Sequence, residues 1–101
     1  MAHKMTAATA ETLTGTRTFT VAEVQQYAFW ALDPGGAGRS VVLPNAADAP
    51  GQMLWIANTA DAAEVLTISA DSATVVTPTQ AETAILFSTG VKWYGIAGAN
   101  S

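Results

Sequence analysis

The residues of this chain that could perform chemistry are few and widely spaced. The sequence contains one histidine, His3, eight carboxylates and no cysteine. A serine or threonine nucleophile needs a base beside it, and His3 stands in the first few residues, far from any predicted element. The absence of cysteine excludes thiolate catalysis, disulfide bonds and cysteine-ligated zinc. We therefore predict no catalytic residue, no metal site and no cofactor, and we expect that the protein is not an enzyme.

Two sequence features resemble reactive sites but have a simpler interpretation. Glu64 and Glu82 could act together as an acid and a base on a polysaccharide, yet their spacing is equally typical of two exposed loop charges. The glycines of residues 33–38 lack the lysine and the strand-to-helix setting of a phosphate-binding loop. A tight turn after Asp33 and Pro34 is the better prediction for this segment.

Large aromatic side chains are the other candidates for function. Three tryptophans and two tyrosines could form a stacking platform for sugars, but such residues more often anchor cores and subunit interfaces. We predict core or trimer contacts for four residues: Trp30, Trp55, Phe87 and Trp93.

The charge pattern excludes some partners. Only 12 % of the residues are charged, against about 25 % in an ordinary soluble domain, so part of the apolar surface is expected to contact another subunit. The four basic residues are scattered, which disfavours nucleic-acid binding because counterion release needs several cations on one face. No segment has the length of a signal peptide core or a membrane span, so we expect synthesis in the cytoplasm and no membrane partner.

The chain divides into a short N-terminal arm and one domain. Residues 1–12 are small and polar, and such a segment is expected to be flexible or to lie on a neighbour. The candidate capsid contacts of this arm are Thr6, Thr9, Glu11, Thr12 and Thr14. Residues 13–101 have the length and uniform composition of a single domain.

Short strands separated by turns dominate the remaining sequence. The strand-like segments follow one another every 8 to 12 residues, although residues 21–26 could form a helical turn and residues 59–64 read as a hairpin connection. Residues 52–58 are apolar on both faces and predict a central strand, covered by the fold on one side and by a partner on the other. About eight strands at this spacing predict an all-β fold, specifically an antiparallel, jelly-roll-like β-sandwich.

This rhythm of strands and turns resembles a known class of proteins. The resemblance rests on residues 33–44, on Gly51 before a strand that ends in Asn58, on residues 66–68, and on residues 90–94. Over residues 27–97 the chain is similar to small β-sandwich modules of tailed-bacteriophage structural proteins, including head decoration (cement) proteins, head fibres and tail-fibre domains. The resemblance implies a homotrimer whose apolar faces meet near a threefold axis, with the terminal arm on the shell.

The expected function follows from that resemblance. The chain lacks the repetitive shaft and the coiled coil of a fibre, which favours a capsid decoration protein that binds the major capsid protein on the outer surface of the virion. The alternative is a receptor- or glycan-binding module of a phage fibre or spike. An enzyme that acts on polysaccharide through Glu64 and Glu82 is the third interpretation.

Overall fold

Residues 6–100 are described by the computed structural model, and they form two facing β-sheets. There are nine strands in these residues: β1 (Glu11–Thr12), β2 (Arg17–Thr18), β3 (Phe29–Asp33), β4 (Arg39–Val42), β5 (Met53–Asn58), β6 (Leu66–Ala70), β7 (Ala73–Val76), β8 (Glu82–Ser88) and β9 (Trp93–Ala99). One short helix, α1 (Val21–Gln26), follows β2, and a 3₁₀ turn (Ala46–Asp48) precedes β5. The prediction of an all-β fold is confirmed.

The predicted antiparallel jelly roll is wrong, because both sheets are mixed. The five-stranded sheet has the order β1-β3-β5-β8-β9, and the four-stranded sheet has the order β2-β4-β6-β7. From β1 to β6 the chain crosses to the opposite sheet after every strand, as in the coils of a solenoid. Each strand therefore lies parallel to the strand two places earlier, and the pairs β1–β3, β3–β5, β2–β4 and β4–β6 are all parallel.

Hairpins occur only in the second half of the described chain. β6 and β7 are joined at Asp71 and Ser72, whose φ angles of 51° and 64° are those of a two-residue hairpin turn. β8 pairs antiparallel with both β5 and β9. The predicted hairpin at residues 59–64 is instead the crossing from β5 to β6, because these two strands lie in different sheets.

The described part of the predicted arm lies along β3. The Ala8 N–H donates to Phe29 O at 2.9 Å, Ala28 N–H donates to Thr6 O at 2.8 Å, and β1 pairs with the end of β3. Residues 1–5 of that arm, including His3, lie outside the described residues, as does Ser101.

The core fills the space between the two sheets. Alternate residues of the long strands point inward, so that Leu54, Ile56 and Leu86 from one sheet meet Leu66 and Ile68 from the other, all of them buried. β5 is the central strand of its sheet, as predicted from its two apolar faces. Its second face, which carries Met53 and Trp55, points away from the core.

Candidate functional site

Two of the four predicted contact residues belong to the core. Trp30 and Trp93 are almost completely buried, and each indole N–H has an acceptor. Trp30 Nε1 donates to Tyr27 O at 3.0 Å, and Trp93 Nε1 donates to Pro44 O at 2.8 Å. Because both the ring and the polar atom are satisfied within the chain, neither residue is available to a partner.

The other two predicted residues lie on the outside of the five-stranded sheet. Trp55 is half-buried and Phe87 is 41 % exposed, and the strand register places them in adjoining rows. One row is Phe29, Trp55, Ile85 and Ile96, and the next is Met53, Phe87 and Tyr94. We call these seven residues the apolar face.

The apolar face exposes an unusual amount of hydrocarbon. Its exposed fractions are 48 % for Met53, 37 % for Ile85, 41 % for Phe87, 57 % for Tyr94 and 70 % for Ile96. With roughly 200 Å² of surface for each large side chain, these five expose about 500 Å². That area lies near the upper end of the largest apolar patch on a typical monomer, about 300–600 Å², and such patches commonly mark interaction sites.

Two shallow grooves run across this face. One has a volume of about 580 Å³ and is lined by Phe29, Trp55, Ile85 and Ile96, with Thr83 and Asn100 at its rim. The other has about 190 Å³ and lies between Met53, Phe87 and Tyr94. The indole N–H of Trp55 is inaccessible to solvent and has no acceptor among residues 6–100, so this buried donor is left unpaired.

The candidate capsid-contact residues of the arm have different surroundings. Thr6, Thr9, Thr12 and Thr14 are exposed. Glu11 is half-buried, and its carboxylate accepts from Arg17 Nε at 2.9 Å and from Arg17 Nη2 at 3.0 Å. The four threonines are therefore open to a partner, whereas the charge of Glu11 is neutralised within the chain.

Arg17 joins the arm to helix α1. Besides Glu11, it donates to Glu23 Oε2 at 2.8 Å, and its guanidinium lies 4.4 Å from the centre of the Phe19 ring. The hydrogen bonds from Arg17 lower the pKa of Glu23 to about 2, and the two carboxylates raise the pKa of Arg17. Glu23 also closes the N-terminus of α1, where Thr20 and Glu23 each accept the other's backbone N–H. This network of ion pairs and hydrogen bonds holds β1, β2 and α1 together.

Glu64 and Glu82, the candidate acid–base pair, have separate partners. Glu82 Oε1 accepts from the Thr79 backbone at 2.7 Å and from the Thr79 hydroxyl at 2.8 Å, and the first of these hydrogen bonds lowers the pKa of Glu82. Glu64 instead lies with Asp33 and Asp61, with carboxylate oxygens within 4.8 Å of one another. One oxygen of Glu64 is buried and has no hydrogen-bond partner among the described residues.

Sequence reasoning missed this group of three carboxylates because it treated the acidic residues as dispersed. Asp33 ends β3, and Asp61 and Glu64 follow β5, which is parallel to β3 and adjacent to it. The loops that follow two parallel neighbouring strands meet at one end of the sheet. The sequence did not reveal that β3 and β5 are parallel, so it could not predict that these three carboxylates lie together. Clusters of surface carboxylates are common in proteins, and apart from the unpaired oxygen of Glu64 the described residues give no further indication of a ligand at this position.

The glycine-rich segment after β3 is a turn, as predicted. Asp33 Oδ1 accepts from Gly35 N–H at 2.9 Å, and Arg39 Nε donates to Pro34 O at 2.8 Å. Gly35 has a φ of +78°, and a Cβ at this position would lie 2.3 Å from Leu13 O. Glycine is therefore required at this position, because φ is positive and because Leu13 lies too close to leave room for a Cβ.

Comparison with known proteins found no relative of this chain. No protein-family model, no curated protein and no solved structure matches the chain. Within residues 6–100, no helix combines the length and the apolar character needed to cross a membrane.

Proposed function

We propose that this protein is a capsid decoration (cement) protein of a tailed bacteriophage, which binds the outer capsid surface as a homotrimer and catalyses no reaction. The observation that carries the proposal is the apolar face, about 500 Å² of exposed large side chains on one side of the five-stranded sheet. The strand rhythm that resembles phage head proteins supports the same function. The protein would be made in the host cytoplasm and would become part of the virion.

In this proposal the apolar face is the contact between subunits. A stable interface buries about 800 Å² on each partner, which is more than the five exposed side chains provide alone. Around a threefold axis each copy contacts two neighbours, so in this proposal the surface surrounding the five side chains is buried as well. The face contains no charged residue, which suits an interface core from which charge is depleted.

The shell contact would be made by other parts of the surface. The exposed threonines Thr6, Thr9, Thr12 and Thr14 lie at the β1 edge of the five-stranded sheet, across that sheet from β9. Their hydroxyl groups can donate and accept hydrogen bonds without adding charge. The partner in this proposal is the major capsid protein, and the added contacts would strengthen the shell.

The first test is the mass of the purified protein by size exclusion with light scattering. At low protein concentration we expect three times the chain mass of 10.4 kDa for the wild type and one chain mass for Phe87→Lys, which places a charge in the apolar face. Thr16→Lys, at an exposed position outside the face, is the matched control and should remain trimeric. A wild-type protein that is monomeric at every concentration would contradict the trimer.

The second test uses capsids that lack the protein. Added wild-type protein should bind them and raise their resistance to heat, whereas replacing Thr6, Thr9, Thr12 and Thr14 together by alanine should weaken binding and leave the trimer intact. Capsids that neither bind the protein nor gain heat resistance would overturn the decoration role.

A glycan-binding module is the second candidate, and the groove over Trp55 is the observation that favours it. Thr83 and Asn100 at the rim of this groove are hydrogen-bonded to each other at 2.6 Å and could contact sugar hydroxyl groups. Trp55 is the one tryptophan that is not fully buried. Binding of host surface polysaccharide should therefore change the tryptophan fluorescence of the wild type and leave that of Trp55→Phe unchanged.

A further inference from the structure

The last strand of the five-stranded sheet has an edge without a neighbour. In residues 6–100, β9 is paired with β8 alone. Thr89 N–H donates to Lys92 O, and Asn100 N–H donates to Ala81 O, so these two pairs of the β8–β9 ladder are hydrogen-bonded pairs. Hydrogen-bonded pairs alternate along an antiparallel ladder. The backbone groups of Tyr94, Ile96 and Gly98 therefore face β8, and those of Gly95, Ala97 and Ala99 face outward.

The second half of β9 extends beyond the core. Trp93 points inward and is buried, whereas Ala97 and Ala99, which point to the same side, are exposed. Ile96 on the opposite side is 70 % exposed. The strand end is thus open on both faces as well as at its edge.

This edge lacks the features by which proteins usually prevent strand pairing. Residues 93–99 contain no charged residue and no proline, and their ladder with β8 is regular over seven pairs. Long uncharged edges of this kind pair readily with another strand. The pattern of outward N–H and C=O groups, repeated at every second residue, is complementary to the backbone of an extended strand.

We propose that β9 pairs with β9 of a second copy of this protein, antiparallel, so that two five-stranded sheets become one continuous sheet across a twofold axis. The same strand on both sides satisfies the symmetry of such a contact, because each edge offers identical groups to the other. The chain has a net charge of −4, but the edge itself is uncharged and two copies of it do not repel.

The side chains of β9 fit this arrangement. In the register centred on Ala97, the outward-facing pairs are Gly95 with Ala99 and Ala97 with its own copy, so each free N–H of these three residues meets a free C=O. The same register places Ile96 of each copy opposite Gly98 of the other. No atom lies within 4 Å of the position that a Cβ of Gly98 would occupy, so the space above it is open to the larger side chain.

The twofold contact is made by the edge of β9 and does not depend on the proposed trimer, although Tyr94 and Ile96 of β9 also belong to the apolar face. Trimers on a shell have neighbours related by local twofold axes, and β9 pairing would link such neighbours to one another. A protein that is not a decoration protein would pair through β9 in the same way.

Amide hydrogen exchange tests the pairing at two protein concentrations about a hundredfold apart. The variant Phe87→Lys is used throughout, so that association through the apolar face does not contribute. We expect the amides of Ala97 and Ala99 to exchange at least tenfold more slowly at the higher concentration. The amides of Ile96 and Gly98, which are bonded to β8, serve as internal controls and should change much less.

Three substitutions, two at Ala97 and one at Gly98, complete the test. Ala97→Pro removes an N–H that faces the free edge and leaves the hydrogen bonds to β8, whereas Ala97→Ser keeps the N–H. We expect Ala97→Pro to weaken association at least tenfold and Ala97→Ser to retain it. Gly98→Val should also weaken association, because it fills the space opposite Ile96.

Either of two results would overturn the proposal. One is exchange of the Ala97 and Ala99 amides at the same rate at both concentrations. The other is association that Ala97→Pro leaves unchanged. Loss of capsid binding with intact β9 pairing would instead reject only the decoration role.

Discussion

Gly95 shows how closely the two sheets approach each other at a single residue. A Cβ at this position would lie 2.7 Å from Cδ2 of Leu86, a fully buried residue of the paired strand, and 3.1 Å from Cγ1 of Val75 in the other sheet. We expect Gly95→Ala to lower the free energy of unfolding by about 1–3 kcal/mol, the usual cost of overpacking.

Gly98 in the same strand is the matched control for that experiment. The space around it is open, so Gly98→Ala should change the free energy of unfolding by less than about 0.5 kcal/mol. Urea denaturation at low protein concentration measures both variants. Equal effects of the two substitutions would contradict the close packing at Gly95.

Glu23 should make stability depend on pH in the acid range. Its folded pKa of about 2 lies below the ordinary value of 4.5, so its contribution is complete above about pH 4.5 and is lost as the pH falls toward 2. Because the pair with Arg17 is partly exposed and screened, we expect a contribution of about 1 kcal/mol.

The measurement compares the wild type with Glu23→Gln, which retains an oxygen for the cap of α1. The difference in free energy of unfolding should be full at pH 7 and reduced to less than half at pH 2.5, and it should disappear as the pH falls below 2. A difference that stays constant across this range would show that the charge of Glu23 does not contribute to stability.

At the residue scale the sequence singled out four aromatic side chains but could not predict which way each of them faces. Trp30 and Trp55 both lie in apolar segments, and the period of two alone could not say which side of each strand meets the core. The answer depends on which strands pair, which is a property of the whole sheet. Phe87 and Trp93 are separated in the same way, one on the apolar face and one in the core.

At the scale of elements, Asn58 organises the crossing from β5 to β6. It is buried, and its Nδ2 donates to Glu64 O at 2.9 Å and to Pro78 O at 3.1 Å, while its Oδ1 accepts from Ala60 N–H at 3.0 Å. One side chain therefore holds two loops. We expect Asn58→Ala to lower the free energy of unfolding by about 2–4 kcal/mol, because buried backbone groups lose their partners and a cavity forms.

Asn45→Ala is the control for this substitution. Asn45 is exposed and makes no side-chain hydrogen bond to the 3₁₀ turn that follows it, so its replacement should have little effect. Chemical denaturation measures the free energy of unfolding of both variants. A small loss for Asn58→Ala would mean that the loops are held by their backbone contacts.

The positions of the strands were predictable from the sequence, but their connections were not. Alternating apolar residues and the breakers Pro44, Gly51 and Gly90 placed most strands to within a few residues. The crossing of residues 59–64 between sheets and the hairpin at Asp71 and Ser72 are both short polar segments between strands. Local turn chemistry distinguishes them only weakly, so the parallel pairing could not be read from the sequence.

At the scale of the whole molecule, subunit association should make thermal stability depend on concentration. If the apolar face is covered only in the trimer, a hundredfold increase in protein concentration should raise the Tm by about 5 °C or more. Differential scanning calorimetry of the wild type and of Phe87→Lys tests this. The variant should show a smaller dependence, which β9 pairing alone would leave, and a wild-type Tm that is independent of concentration would contradict the trimer.

The crossing of the chain between sheets also determines when this protein can fold. Parallel neighbours such as Glu11 and Leu32, or antiparallel ones such as Met53 and Phe87, are distant in sequence, and the loops between them must close before the pairs can form. Topologies dominated by such contacts fold in milliseconds to seconds. β9 supplies Trp93 to the core, so a chain emerging from the ribosome cannot complete this core until β9 has been synthesised. The two sheets therefore close only after β9 has left the ribosome, and until then chaperones can bind the apolar strands of the nascent chain.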